Sequence, residues 1–183
     1  GRGTGPEVAA ELRAVLERRL PTIIDADALT VLSTDGDLRE LVRDHPCAVL
    51  TPHAGEFERL YAATLGRELD LSEGLGVRLR ELSDALDCFI LHKGRITTVT
   101  APGQKIYGMN AGHSYAATAG SGDVLSGILG ATLAQLDAAE ADAEAIIMEI
   151  LHAAAIHQHA AAIAAHTPDG FGPCSASQIA AVS

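Results

Sequence analysis

Apolar positions along the chain alternate between two periods. From Glu7 to Leu20, the residues Val8, Leu12, Val15, Leu16 and Leu20 recur at the spacing of an amphipathic helix, with Pro6 at a first-turn position. Pro21 closes that helix. Thr22-Ile23-Ile24 is then a short β-branched run passing into Asp25-Ala26-Asp27, the pattern of a buried strand that ends on carboxylates. The same form recurs with Cys47-Ala48-Val49-Leu50 as a strand, Thr51-Pro52-His53-Ala54-Gly55 as a polar turn and Glu56 to Leu65 as a helix. A third copy runs from an amphipathic helix over Ser72 to Leu86 into the strand Cys88-Phe89-Ile90-Leu91, which ends at His92-Lys93-Gly94. Strands alternating with helices predict an α/β fold built on a doubly wound, mostly parallel sheet.

After Lys93-Gly94 the rhythm changes. Ile96 to Thr100, the turn Ala101-Pro102-Gly103 and Gln104 to Tyr107 predict a hairpin, hence an antiparallel edge on the parallel sheet. Beyond Gly120 the pattern is helical, over Asp123 to Leu136 and Ala141 to Ala165, with a Pro/Gly/Ser tail from Thr167. No tandem repeat or linker composition interrupts the chain, so residues 1–183 are expected to form a single domain.

Composition agrees with that architecture. Aromatic content is only 3% with no Trp, so the apolar mass is Ala, Leu, Ile and Val, which suits helices packed closely on a buried sheet. A net charge of -11 argues against the basic stripe that neutralises nucleic-acid phosphates. A small phosphorylated ligand stays open, because a helix N-terminus binds an anion locally. Cys47, Cys88 and Cys174 form neither CxxC nor a disulfide framework, which points to a reducing, cytoplasmic setting. The opening Gly1-Arg2-Gly3-Thr4-Gly5 lacks the basic-then-apolar pattern of a signal peptide, and no apolar run is expected to approach the length of a membrane span.

The chemistry is expected at four places. Gly120-Ser121-Gly122-Asp123 precedes the helical run Val124, Leu125, Ile128, Leu129, Leu133, so its amides should point outward from a helix start, where they favour an anion. Asp123, in the first turn, could take a proton from a hydroxyl while the amides stabilise a transferred phosphoryl group. The bland alternative is an ordinary N-cap between turn glycines. Lys93 ends a buried strand, where doubly wound sheets bind ligands, and suits nucleotide phosphate; a surface lysine is the alternative. Thr51 to Glu56 offers an imidazole and a carboxylate, or simply a helix start. Asp25 and Asp27 could hold Mg²⁺, or Asp27 could cap the helix that follows. His152, His157, His159 and His166 dot the last long helix at spacings poor for one metal site. The acidic stretch Asp137 to Glu144 reads as a solvated loop and helix start.

Taken together, Asp25-Ala26-Asp27-Ala28-Leu29, Thr51-Pro52-His53-Ala54-Gly55-Glu56, Leu91-His92-Lys93-Gly94 and Ala117 to Gly127 occur in the order and approximate spacing of the NAD(P)H-hydrate dehydratases, which this chain resembles over essentially its whole length. These are ribokinase-like proteins that use ADP, or ATP in some members, with Mg²⁺ to repair hydrated NADH and NADPH. The resemblance implies Gly3, Gly5 and His53 along the hydrated dinucleotide, with Lys93, Gly94, Arg95, Ile96 and Thr97 lining the adenine nucleotide site. It also implies Gly120, Ser121 and Gly122 at the nucleotide phosphate and Asp123 as base facing the substrate hydroxyl. The implied reaction phosphorylates the ring hydroxyl and then expels phosphate, a far better leaving group than hydroxide.

Arg2 stands where the family usually has Pro, and Gly112-His113-Ser114-Tyr115-Ala116 replaces a common Gly-Asn-Pro-Gly-Met-like run. Family members also carry further strands and helices before the opening glycine loop, so the resemblance places this chain as the C-terminal portion of a domain. An upstream epimerase domain is frequent in the family, and an uncovered sheet flank would favour homo-oligomers. Two other readings stand beside this one. One is a small-molecule kinase of the same fold, acting on a hydroxymethylpyrimidine, a hydroxyethylthiazole or a sugar; the other is an inactive nucleotide-binding fragment.

Overall fold

The computed structural model describes residues 3–110, 117–136 and 141–183. Its main sheet has the order β1-β2-β3-β4-β5, with β1 at Thr22–Ile24, β2 at Ala48–Leu50, β3 at Phe89–His92, β4 at Ile96–Thr100 and β5 at Tyr107–Asn110. The first three strands are parallel; β4 and β5 run antiparallel as the edge hairpin. Helices α1 (Pro6–Leu16), α2 (Asp27–Thr34), α3 (Gly36–Arg43), α4 (Ala54–Leu65) and α5 (Leu75–Leu86) pack with one core, and α6 (Ser121–Leu133) and α7 (Ala143–Ala164) with the other.

Strand pleating explains this division. Successive residues point to opposite faces. Thus Ile24, Ala48, Leu50 and Ile90 join the α1–α5 core, while Val49, Phe89, Leu91 and Val99 join the α6–α7 core. Both faces are covered, which is why the strands read as continuous apolar runs.

Several boundaries differ from the sequence expectation. Helix α1 stops at Leu16, because Arg19 takes a positive φ of 56° and Leu20 is left exposed without a core to enter. Helix α5 starts at Leu75, since Gly74 lies at φ 94° and the Asp70 side chain accepts from the N–H of Ser72, folding 70–74 into a turn. Strand β5 begins at Tyr107 rather than Gln104, whose N–H is committed to a turn onto Ala101 O. The expected tail holds a two-stranded hairpin, β6 (His166–Thr167) with β7 (Gly170–Phe171). It also holds a short helix, α8 (Ala176–Ala180), started by a Ser175/Gln178 capping box.

Helix α7 also corrects the expectation about membrane spans. At 22 residues it is long and apolar enough to cross a bilayer by length and composition. Its buried face, Ile146, Ile147, Ile150, Ala153, Ala154, His157, Ala160 and Ala161, packs within this fold. Of the acidic stretch 137–144, Asp142 caps α7 by accepting from the N–H of Ala145, and residues 137–140 lie outside the described part. Arg2 and the run 112–116 also lie outside it.

Candidate active site

The site forms where β1, β2 and β3 end on the same edge of the sheet. Their pairing continues past the strands: Thr51 N–H donates to Ile24 O at 3.1 Å, and Lys93 N–H donates to Pro52 O at 2.8 Å. That extension brings Asp25, His53 and Lys93 side by side, and His53 and Lys93 form a parallel bridge. Lys93 Nζ meets Asp25 Oδ1 at 2.5 Å, with side chains 24% and 15% exposed, so the pair is largely desolvated.

Helix α6 brings its first turn over this pair. A Cβ built on Gly122 would lie 3.4 Å from Asp25 Oδ2 and 3.7 Å from Lys93 Nζ, so the first turn of α6 faces the two charges with room for about one methyl group between them. Ser126, one turn on, donates its hydroxyl to Asp25 Oδ2 at 3.4 Å. Gly120 turns the chain into α6 with a φ of 85°, and a Cβ there would also meet Ala176 of α8 at 3.1 Å. Glycine is required there by backbone conformation and by contact together. Asp123 stands exposed in the first turn.

His53 caps α4. Its Nδ1 accepts from the N–H of Gly55 at 3.0 Å and of Glu56 at 3.4 Å, while buried Glu56 reaches back to accept from His53 N–H at 2.8 Å. The helix-start alternative is therefore realised, yet the ring keeps a side-chain exposure of 56% and stays open to a ligand. Behind it, buried His92 packs edge-on to Phe57 at 5.6 Å; burial, then the neighbouring His53, lowers its pKa below the ordinary value.

The opening loop reaches the same edge. Gly3 N–H donates to Asp27 Oδ2 at 2.8 Å, and Gly5 starts α1. Asp27 is the first residue of α2 and does not cap it with its side chain. Between the two aspartates Ala26 takes φ 53°, ψ -122°, a backbone that costs roughly 1–3 kcal/mol and turns the chain sharply at the end of β1. As a magnesium pair the two carboxylates are unequal. Asp27 accepts from the Gly3 amide at Oδ2, whereas Asp25 is engaged at both oxygens, Oδ1 by Lys93 and Oδ2 by the Ser126 hydroxyl. Among the described residues no group of three His, Cys, Asp or Glu side chains is placed to hold a metal.

Gly94 and Arg95 are exposed beyond Lys93, Ile96 is 55% exposed, and Thr97 is buried, accepting at Oγ1 from Gln158 Nε2 at 3.3 Å. The loop and strand residues expected at the nucleotide thus run continuously from Lys93 along β4. A cavity of about 350 Å³ lies between α1, the end of α2 and the start of α3, lined by Gly5, Pro6, Val31 and Asp35; of the expected site residues only Gly5 is in its wall. Two site neighbours escaped the sequence reading: Ser126, and His157, whose Nε2 is 2.9 Å from Ser121 Oγ. The helical spacing Gly122–Ser126 was the available signal for the first; nothing local signals the second.

The NAD(P)H-hydrate dehydratase family model matches residues 1–180. The chain belongs to that family. Its similarity to the bifunctional NAD(P)H-hydrate repair enzyme Nnr of Corynebacterium glutamicum is 41% identity over 98% of this chain and 34% of that protein. The ADP-dependent (S)-NAD(P)H-hydrate dehydratase of Neisseria meningitidis is 37% identical over 74% of this chain and 45% of its own length. The chain spans about a third of the length of the first of these relatives and under half of the second. Among solved structures, the Bacillus subtilis ADP/ATP-dependent NAD(P)H-hydrate dehydratase co-crystallized with ATP/Mg²⁺ superposes with a TM-score of 0.75 at 22% identity, covering all of this chain and 59% of that one. The fold is also shared with a ribokinase-like superfamily protein of Enterococcus faecalis, with a TM-score of 0.62 at 23% identity over 96% of this chain and 66% of that one.

Proposed function

We propose that this chain carries the catalytic edge of a lyase that dehydrates hydrated NADH and NADPH at the expense of ADP or ATP, with residues 1–183 acting as one structural unit. The observation that carries the reading is the placement of Gly122, in the first turn of α6, one methyl's width from the Lys93–Asp25 pair. A helix start with its N–H groups, an ammonium and a nearby carboxylate then face one space, which suits a nucleotide phosphate with its Mg²⁺. Names of the family relatives supply the substrate class.

In this assignment Lys93, Gly94, Arg95, Ile96 and Thr97 run along the adenine nucleotide. Gly120, Ser121 and Gly122 meet its phosphates, and Gly3, Gly5 and His53 lie along the hydrated dinucleotide. Asp25 and Asp27, together with phosphate oxygens, would hold Mg²⁺ directly or through water, and it would supply neutralisation of phosphate charge. Asp123 takes the proton of the ring hydroxyl as that oxygen bonds to the terminal phosphorus and the bridging P–O bond of the nucleotide breaks. The new C–O–phosphate bond then cleaves, with loss of a proton from the neighbouring carbon, and the ring double bond returns. From ADP the products are AMP and phosphate.

The test is recovery of nicotinamide absorbance from the hydrate with ADP or ATP and Mg²⁺. No recovery with either nucleotide, in a protein that binds ADP, refutes the activity. Asp123→Asn should lose turnover while keeping nucleotide affinity, and full activity in that variant removes Asp123 as base.

A further inference from the structure

Helix α7 touches the nucleotide elements through two consecutive residues. His157 Nε2 lies 2.9 Å from the hydroxyl of Ser121, the first residue of α6, and both side chains are buried, at 9% and 6% exposure. Gln158, the next residue, donates to Thr97 Oγ1 on β4 at 3.3 Å. At 3.6 residues per turn, neighbouring side chains diverge by about 100°, so one turn of α7 reaches two elements that have no sequence proximity, 36 and 61 residues away. Ser121 immediately precedes the glycine that faces Lys93 and Asp25, and Thr97 closes the run that starts at Lys93.

Neither contact is explained by ordinary core packing. Helices bury alanine and isoleucine on this face of α7, as at Ile150, Ala153 and Ala154, and a histidine there is tolerated only because its ring nitrogen is satisfied. Burial holds the imidazole pKa below its ordinary value, so the ring is neutral and shares a single hydrogen with the serine hydroxyl. Such a bond in a low-dielectric setting fixes the rotamers of both partners and, through Ser121, the direction of the first turn of α6.

We infer that His157 and Gln158 are positioning residues for the nucleotide site: His157 orients the Ser121-Gly122 turn toward the phosphates, and Gln158 holds Thr97 of β4 in place beside it. The inference rests on the reading of residues 93–97 and 120–123 as an adenine-nucleotide site. Neither residue touches the reacting atoms. His157 acts by presenting a preformed anion site, so its loss weakens phosphate recognition more than recognition of the nucleoside, whereas Gln158 acts on the strand that runs along the whole nucleotide.

The experiment is calorimetric titration of ADP and of adenosine into the wild type, His157→Leu, His157→Gln, Ser121→Ala, the His157→Leu/Ser121→Ala double variant and Gln158→Leu. The leucine keeps volume and removes the bond, whereas glutamine can restore a polar atom near the position of Nε2. Expected results are an increase of about tenfold in the Kd for ADP in His157→Leu and in Ser121→Ala. The double variant should be no worse than either single one, most of the loss should be recovered in His157→Gln, and the adenosine Kd should change little in all four. Gln158→Leu should raise the Kd of ADP and adenosine together. A wild-type Kd for ADP in Ser121→Ala or in folded His157→Leu, additive losses in the double variant, or no recovery with glutamine overturns the inference. If His157→Leu does not fold, His157→Met, which keeps volume without the ring nitrogen, takes its place in the same comparison. A wild-type protein that binds no ADP refutes the nucleotide reading instead, so the two failures are distinct.

Discussion

Replacing Gly122 by alanine should raise stability and lower nucleotide affinity, two effects of opposite sign from one methyl group. Gly122 is the second residue of α6, and its Cβ would meet Asp25 Oδ2 at 3.4 Å and Lys93 Nζ at 3.7 Å, contacts at van der Waals distance. Alanine in place of glycine within a helix is worth roughly 0.5–1 kcal/mol, and the low end applies in a first turn. For a chain of this size that is an increase of about 1–2 °C in Tm. A phosphate oxygen bonded to the Gly122 N–H would sit about 2.9 Å from the nitrogen, and the added methyl pushes it outward over the Lys93–Asp25 pair. Losing one charge-assisted bond costs about 1.5–3 kcal/mol, or roughly 10- to 100-fold in Kd. Differential scanning calorimetry and ADP titration measure both quantities on one sample. An unchanged Kd refutes phosphate binding at Gly122, and a Tm lowered by several degrees refutes the claim that the carboxylate accommodates the methyl.

The His53 cap separates structure from recognition: His53→Ala should lose about 1 kcal/mol of stability and His53→Ser very little, while both lose the imidazole and show the same rise in KM for the hydrate. Equal stability of the two variants in urea unfolding would refute the capping account. Burial lowers the pKa of His45, His92 and His157 below 6.5, so the unfolded chain takes up protons first as pH falls. Stability present above pH 6.5 is then lost below it, with a slope of at most about 1.4 kcal/mol per pH unit for each histidine. Urea midpoints at pH 7.5, 6.5 and 5.5 check this, and a flat profile contradicts it. Burial pushes the Cys47 thiol up to about 11, so at pH 8.5 it should resist iodoacetamide in the folded protein and react on unfolding, as mass spectrometry would show. Stability should correspondingly fall between pH 9, the unfolded thiol's value, and pH 11.

What the sequence made legible is what strands and helix starts encode locally. Thr22 to Ile24, Ala48 to Leu50 and Phe89 to Leu91 are apolar on both faces because both faces are covered, and the polar residues that follow each run mark one edge of one sheet. Gly120 to Asp123 declared a helix start by its glycines, and His53 with Glu56 by capping spacing. The partners of those residues were not legible. Nothing near Ser121 specifies His157, because that pairing depends on how α6 packs against α7, and the apolar stripe of α7 disguises a buried imidazole as one more polar interruption. Likewise Asp27 looked equally like a cap or a metal ligand until the backbone of Gly3 was found on its carboxylate.

The charge balance of the site follows from these contacts. On the proposed reading, a chain of net charge -11 would bind a polyphosphate without help from its overall field, so the attraction would be local. Asp25 cancels Lys93 at 2.5 Å, which leaves the pair nearly neutral and holds the ammonium in place beside the Gly122 turn. The positive end of α6 would then supply the remaining attraction through its N–H groups. A lysine on a flexible four-carbon stem would otherwise lose conformational freedom on binding; here Asp25 has already restricted it. The acidic neighbour therefore does not oppose phosphate recognition. It trades some of the lysine's charge for a fixed position, and the helix start makes good the charge.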